Sequence, residues 1–97
     1  MRINKAGPAF LPDSKWLAIA TSLRLSRREA EILRGIFNDD SEAVIAELLG
    51  MSPHTVHTHL ERLYKKLGVN SRCETVVRIF AEYVALENPR KPLSRVA

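Results

Sequence analysis

The stretch SPHTVHTHLERLYKKLGV, residues 52–69, reads as one helix with well-marked ends and a different task on each side. Ser52 is suited to accept from the first free backbone N–H groups, Pro53 fits the first helical position, and Gly68 suits the left-handed residue just past the end. At 100° per residue, Val56, Leu60, Leu63 and Leu67 fall on one stripe. His54, Thr58, Glu61 and Lys65 fall on the far side, flanked by His57 and Arg62. The apolar stripe is core; the opposite face is a row of hydrogen-bonding side chains with no packing duty.

Immediately upstream, Ser41 caps a short helix that runs to Leu49 and presents Val44, Ile45, Leu48 and Leu49 as core residues, with Ala46 small enough for a close helix crossing. Gly50-Met51 joins the two. Two helices across a tight glycine-containing turn form a helix-turn-helix, a unit that sets its second helix into the major groove of DNA. Before this pair, Ser26-Arg27-Arg28-Glu29 has the form of a capping box and starts a helix whose apolar positions are Ala30, Ile32, Leu33, Ile36 and Phe37; Asn38-Asp39-Asp40 stop it. A further short helix, capped by Asp13 or Ser14, runs through Trp16, Leu17, Ile19, Ala20 and Leu23, with Trp16 as the anchor on the main core. Residues 1–12 hold Gly7, Pro8 and Pro12 without periodicity and read as an arm carrying Arg2 and Lys5.

On the other side of the quoted stretch, Ser71-Arg72-Cys73-Glu74 supplies a second capping box for a helix to about Glu87, ended by Asn88-Pro89; Arg90, Lys91 and Arg95 follow in a basic tail. That last helix is apolar over about 200°, where a helix lying on one core needs about 100° or slightly more. Cys73, Val76, Val77, Phe80 and Val84 make one stripe, and Ile79, Tyr83 and Leu86 a second. The second stripe needs its own cover. A copy of the same helix from another chain supplies it in a two-fold interface; in a monomer the helix of Trp16, Ile19 and Leu23 folds back over it.

Ninety-seven residues, 45% of them apolar, suffice for one small core and not for two. A net charge of +4 favours an anionic partner, although charges of both signs are interspersed. The single cysteine, Cys73, makes no internal disulfide and reads as a small apolar residue, and no apolar run has the length of a membrane span or the form of a signal peptide. These features point to a soluble cytoplasmic protein. His54, His57 and His59 are spaced so that three ligands do not converge on one point, so neither a metal site nor a cofactor is expected, and no constellation suggests catalysis. His59 reads as a packed, hydrogen-bonded histidine.

The ordered set Leu25-Ser26-Arg27-Arg28-Glu29, Ile45-Ala46, Gly50-Met51-Ser52, Thr55-Val56, His59, Lys65-Lys66-Leu67-Gly68-Val69 and Ser71-Arg72 resembles the LuxR/GerE-type helix-turn-helix domains of bacterial transcription regulators, over Leu25 to Ala85. The resemblance implies an all-α fold, a four-helix domain over residues 25–87 with an additional short helix before it in residues 1–24 and a tail at 88–97. It also implies a nucleoid-bound, sequence-specific regulator of transcription in a bacterial cytoplasm, whose third helix reads the major groove and whose fourth mediates dimerisation.

Carried over by position, His57, Thr58, Glu61 and His54 look like base readers. Thr55, Arg62, Lys65, Lys66, Arg28 and Ser52 look like phosphate contacts, Arg28 alternatively serving as partner to an acid. Val76, Ile79, Tyr83 and Leu86 look like the dimer interface. The chemistry fits these roles: a guanidinium or ammonium neutralises phosphate, whereas Thr, His and Glu discriminate base edges, Glu by accepting from a cytosine amine. Two departures stand out. Ala43-Val44 occupies the place where the family often has Lys-Glu, and Glu61 stands where many relatives have a basic side chain; both predict weaker non-specific binding. A module of the same fold that docks on RNA polymerase or a partner regulator without touching DNA is the alternative reading.

Overall fold

The computed structural model describes residues 11–88, and within them five helices and no strand. The expected arm with Arg2 and Lys5, and the tail with Arg90, Lys91 and Arg95, lie outside the described residues. The helices are α1 (Asp13–Ser22), α2 (Arg27–Phe37), α3 (Glu42–Leu49), α4 (Pro53–Leu67) and α5 (Arg72–Glu87).

The ends of α4 are as the sequence dictates. Ser52 Oγ accepts from Thr55 N at 3.1 Å, Pro53 opens the helix, and Gly68 closes it at φ 71°. That left-handed conformation carries a steric penalty for a residue with a Cβ, which explains the glycine. Val56, Leu60, Leu63 and Leu67 are all buried, so the whole apolar stripe lies on the core. α2 is opened by a complete capping box: Ser26 Oγ accepts from Glu29 N at 3.1 Å, and Ser26 N donates to Glu29 Oε1 at 2.8 Å. Ser41 caps α3 through Val44 N at 3.1 Å, and Gly50 at φ 68° makes the turn into α4.

α3 lies across both α2 and α4, and its approach to α2 is set by Gly35. A Cβ placed on Gly35 would meet Ile45 Cγ1 at 2.7 Å and Cδ1 at 2.8 Å. The hydrogen at this position thus lets Ile45, 2% exposed, seat against α2. The close crossing depends on this glycine as well as on the buried Ala46. The rest of α3 corrects the sequence reading: Val44 is 36% and Leu48 69% exposed, because a helix of only two turns lies on the core along one narrow line, through Ile45, Ala46 and part of Leu49.

α1 joins the same core. Its first turn has Pro12 at the cap position with no side-chain cap, so neither Asp13 nor Ser14 caps it; Asp13 instead pairs with Arg34 of α2 at 3.2 Å. Trp16 anchors the helix, its ring edge-on to Phe37 with centroids 5.1 Å apart and the Arg34 guanidinium 5.4 Å from its centroid. At the other face of α1, Lys15 Nζ pairs with Glu87 Oε2 at 2.6 Å and Ser22 Oγ donates to Glu82, tying α1 to α5.

This docking settles which side of α5 is inside. Ile79 is 1% exposed and Thr75 is fully buried, the latter donating to Ser71 O at 2.8 Å. Tyr83 is partly buried and packs on the core. The outward residues are Val77 at 63% and Phe80 at 58%, with Cys73 exposed and Val76 and Leu86 near the margin. Of the residues expected at a subunit interface, Ile79 and Tyr83 therefore belong to the domain's own core, and only Val76 and Leu86 remain accessible. The physical reason is that α1 folds back over the second stripe. The second capping box is also half-formed: Ser71 Oγ accepts from Glu74 N at 3.1 Å, but Glu74 Oε1 accepts from Asn70 N rather than from Ser71 N.

Candidate nucleic-acid interface

With its apolar stripe against α2 and α3, α4 turns the opposite face outward. His54, Thr55, His57, Glu61, Arg62 and Lys65 are exposed along it, and Thr58 is half-exposed. Thr58 Oγ1 donates to His54 O at 3.2 Å, leaving its lone pairs available as acceptors. Ser52 Oγ, besides capping, donates to Thr55 Oγ1 at 2.9 Å, so these two hydroxyls are held together at the N-terminal end of the helix, where the helix dipole favours an anion. Among the described residues, neither Arg62 nor Lys65 enters an ion pair, and both charges stand free at the surface.

Two of the expected phosphate contacts are otherwise engaged. Lys66 Nζ turns back to α2, pairing with Glu29 Oε1 at 2.7 Å and donating to Arg24 O at 3.0 Å. It locks the end of α4 to the capping box of α2. Arg28 pairs with Glu31 at 3.1 Å, the acid-partner role rather than a free cation. Burial pushes the Glu29 carboxyl up, but bonds from Lys66 and from Ser26 outweigh it and hold Glu29 below its ordinary value.

His57 is the most connected side chain of the exposed face. Its Nδ1 lies 3.3 Å from both carboxylate oxygens of Glu42, the first residue of α3, and its Nε2 lies 3.2 Å from Glu61 Oε2. The hydrogen bond and charge of Glu42, then the charge of Glu61, raise the His57 pKa above its ordinary value. Glu42 was not legible as a site residue: it is fifteen positions from His57, on a helix whose tilt against α4 the sequence leaves open. Among the described residues no group of histidine, cysteine and carboxylate side chains has the arrangement to hold a metal ion.

An all-helical domain with a capped helix α3, a left-handed glycine turn and a longer helix α4 bearing an exposed polar face is a helix-turn-helix domain. The family model described as bacterial regulatory proteins, luxR family, matches residues 23–79, and the chain belongs to that family. Its curated relatives include the probable transcriptional regulatory protein NarL of Mycobacterium tuberculosis, 48% identical over 52 residues, which are 54% of this chain and 24% of that protein. The transcriptional regulatory protein UhpA of Escherichia coli is 38% identical over 58% of this chain and 29% of its own length. The transcriptional activator protein AnoR of Acinetobacter nosocomialis is 35% identical over 59% and 24% respectively. The chain thus spans about a quarter of the length of the curated relatives it matches. No solved structure matches it. No helix among the described residues is long and apolar enough to cross a membrane.

Proposed function

We propose that the chain is the DNA-binding part of a bacterial regulator of transcription, non-enzymatic and cytoplasmic, with α4 lying in the major groove of duplex DNA. The observation that carries this reading is the outward face of α4: a continuous row of exposed polar side chains, with two unpaired cations at its C-terminal half, on a helix whose other face is wholly committed to the core. The relatives' names as transcriptional regulators support it. His54, Thr58 and Glu61 supply base-edge contacts, with His57 beside them. Thr55, Ser52, Arg62 and Lys65 supply phosphate contacts. Lys66 and Arg28 contribute through the fold, by fixing α4 and α2.

The regulator acts as a homodimer through α5, because one small helix-turn-helix spans only a short half-site and a two-fold pair reads two such sites about one helical turn apart. The interface consists of Val76, Val77, Phe80 and Leu86, the apolar residues that α5 leaves exposed. A protein-docking role alongside DNA binding is favoured by one observation, the exposed Val44 and Leu48 one turn apart on α3. That is the face on which RNA polymerase or a partner regulator would rest.

Selection of bound sequences from a random duplex pool tests the reading. It expects a defined motif for the wild type and an altered motif for Glu61→Ala, while Lys65→Ala weakens binding on all sequences alike. Failure to enrich any motif, with Lys65→Ala indistinguishable from wild type, contradicts it.

A further inference from the structure

Two carboxylates from different helices meet on one imidazole in the middle of the exposed face of α4. A neutral imidazole has one N–H and one lone pair, and so satisfies only one of two flanking carboxylates; the imidazolium donates to both. With Glu42 on Nδ1 and Glu61 on Nε2, the ring nitrogens of His57 are both occupied. What this cluster offers to a ligand is therefore the remaining lone pairs of Glu61, the outermost of the three at 68% side-chain exposure against 52% for His57 and 39% for Glu42. The imidazolium also cancels one of the two negative charges that would otherwise face the phosphates.

We propose that Glu42 and His57 are positioning residues for Glu61: they fix its carboxylate as an acceptor for the exocyclic amino group of a cytosine or adenine in the major groove. The supporting helix α3 thereby takes part in setting sequence preference. This rests on the reading of α4 as the DNA-contacting helix. Unrestrained, a glutamate on a helix surface samples many rotamers and is repelled by the DNA backbone; held by His57, it is ordered before the encounter and loses less freedom on docking. The base edges that donate in the major groove are those of cytosine N4 and adenine N6, so an acceptor fixed there favours these bases over guanine O6 or thymine O4.

Because the arrangement needs the proton on His57, base preference depends on pH. The charged groups facing the ring are Glu42 from α3 and Glu61 from α4, and both favour the protonated form. Preference is strongest below the raised His57 pKa and fades above it.

The experiment combines an NMR titration of His57 in the free protein with motif selection for wild type, E61A, H57A, E42Q and E42D. The last keeps the charge of Glu42 but shortens its reach, and circular dichroism confirms that each variant is folded. The expected result is a wild-type His57 midpoint above the ordinary histidine value, lowered in E42Q. H57A, E42Q and E42D lose preference at the same base pair as E61A, with discrimination there falling about fivefold or more. Two results overturn the proposal while leaving DNA binding intact: E61A alone losing that preference, or His57 titrating at its ordinary value and unmoved by E42Q. Wild type that retains no duplex overturns the DNA reading and the proposal together, and the titration then shows separately whether the His57 cluster exists.

Discussion

α4 and α5 are neighbours of nearly equal length, and the sequence describes them very unequally. In α4 the aliphatic side chains Val56, Leu60, Leu63 and Leu67 occupy a single stripe and every one of them is buried. In α5 apolar side chains wrap most of the circumference; the interior takes Ile79 and the polar Thr75, while Val77 and Phe80 are left in solvent. Periodicity tells inside from outside only when the apolar arc is narrow. When it is wide, the choice belongs to whichever element docks there, and for α5 that element is α1.

The sharpest way to break this comparison is a pair of substitutions one residue apart. Ile79→Glu places a carboxylate in the core and should destabilise the domain by about 3 kcal/mol or more, whereas Phe80→Glu should stay within about 0.5 kcal/mol. Thermal unfolding followed by circular dichroism reads both. If the exposed face of α5 is the subunit interface, Phe80→Glu also abolishes the dimer in sedimentation, while its melting temperature matches wild type at concentrations where wild type is monomeric. A larger loss of stability from Phe80→Glu than from Ile79→Glu would invert the assignment of the two faces.

A smaller effect concerns the α2–α3 crossing. Gly35→Ala improves helix propensity by about 1 kcal/mol, yet its Cβ would collide with Ile45, a strain of about 1–3 kcal/mol. The net expectation is a modest fall in stability, with the double variant Gly35→Ala/Ile45→Ala losing less than the sum of its two single variants because the colliding Cγ1 and Cδ1 are gone. Stabilisation by the single variant would mean that α3 sits further from α2 than described.

The two adjacent lysines at the end of α4 sharpen the division between binding and folding. Lys65→Ala should lower DNA affinity with little change in stability, and Lys66→Ala should lower stability by freeing Glu29. The sign of the pH effect follows from Glu29, whose folded-state pKa is depressed. Its contribution is present above the ordinary glutamate range and is lost as pH falls through the depressed folded value. Acid melting curves should therefore be shallower for Lys66→Ala than for wild type. Equal slopes would remove the Lys66–Glu29 pair from the account.

The residues that were legible beforehand are those whose role is local. Ser26, Ser41, Ser52 and Ser71 cap the helices they precede, and the two glycines at positive φ close α3 and α4, because caps and turns are decided within a few residues of chain. What escaped the sequence is non-local. Lys66 reads from the sequence as a phosphate contact, because only the fold brings Glu29 of α2 beside it, 37 positions away in the chain. Glu42 carries no sign of a site role in the sequence, because only the glycine turn that lays α3 against α4 sets it on His57. Exposure of Val44 and Leu48 depends in the same way on the angle at which a short helix crosses its neighbours.

The central claim, that the polar face of α4 holds duplex DNA, is tested most directly by the salt dependence of binding. With about two to three phosphates neutralised per subunit by Arg62, Lys65 and the helix N-terminus, log affinity should fall against log salt with a slope of about −2 to −3 per subunit, and Lys65→Ala should reduce that slope by about 1. A slope near zero that Lys65→Ala leaves unchanged, or no retention of any duplex at low salt, would contradict the claim.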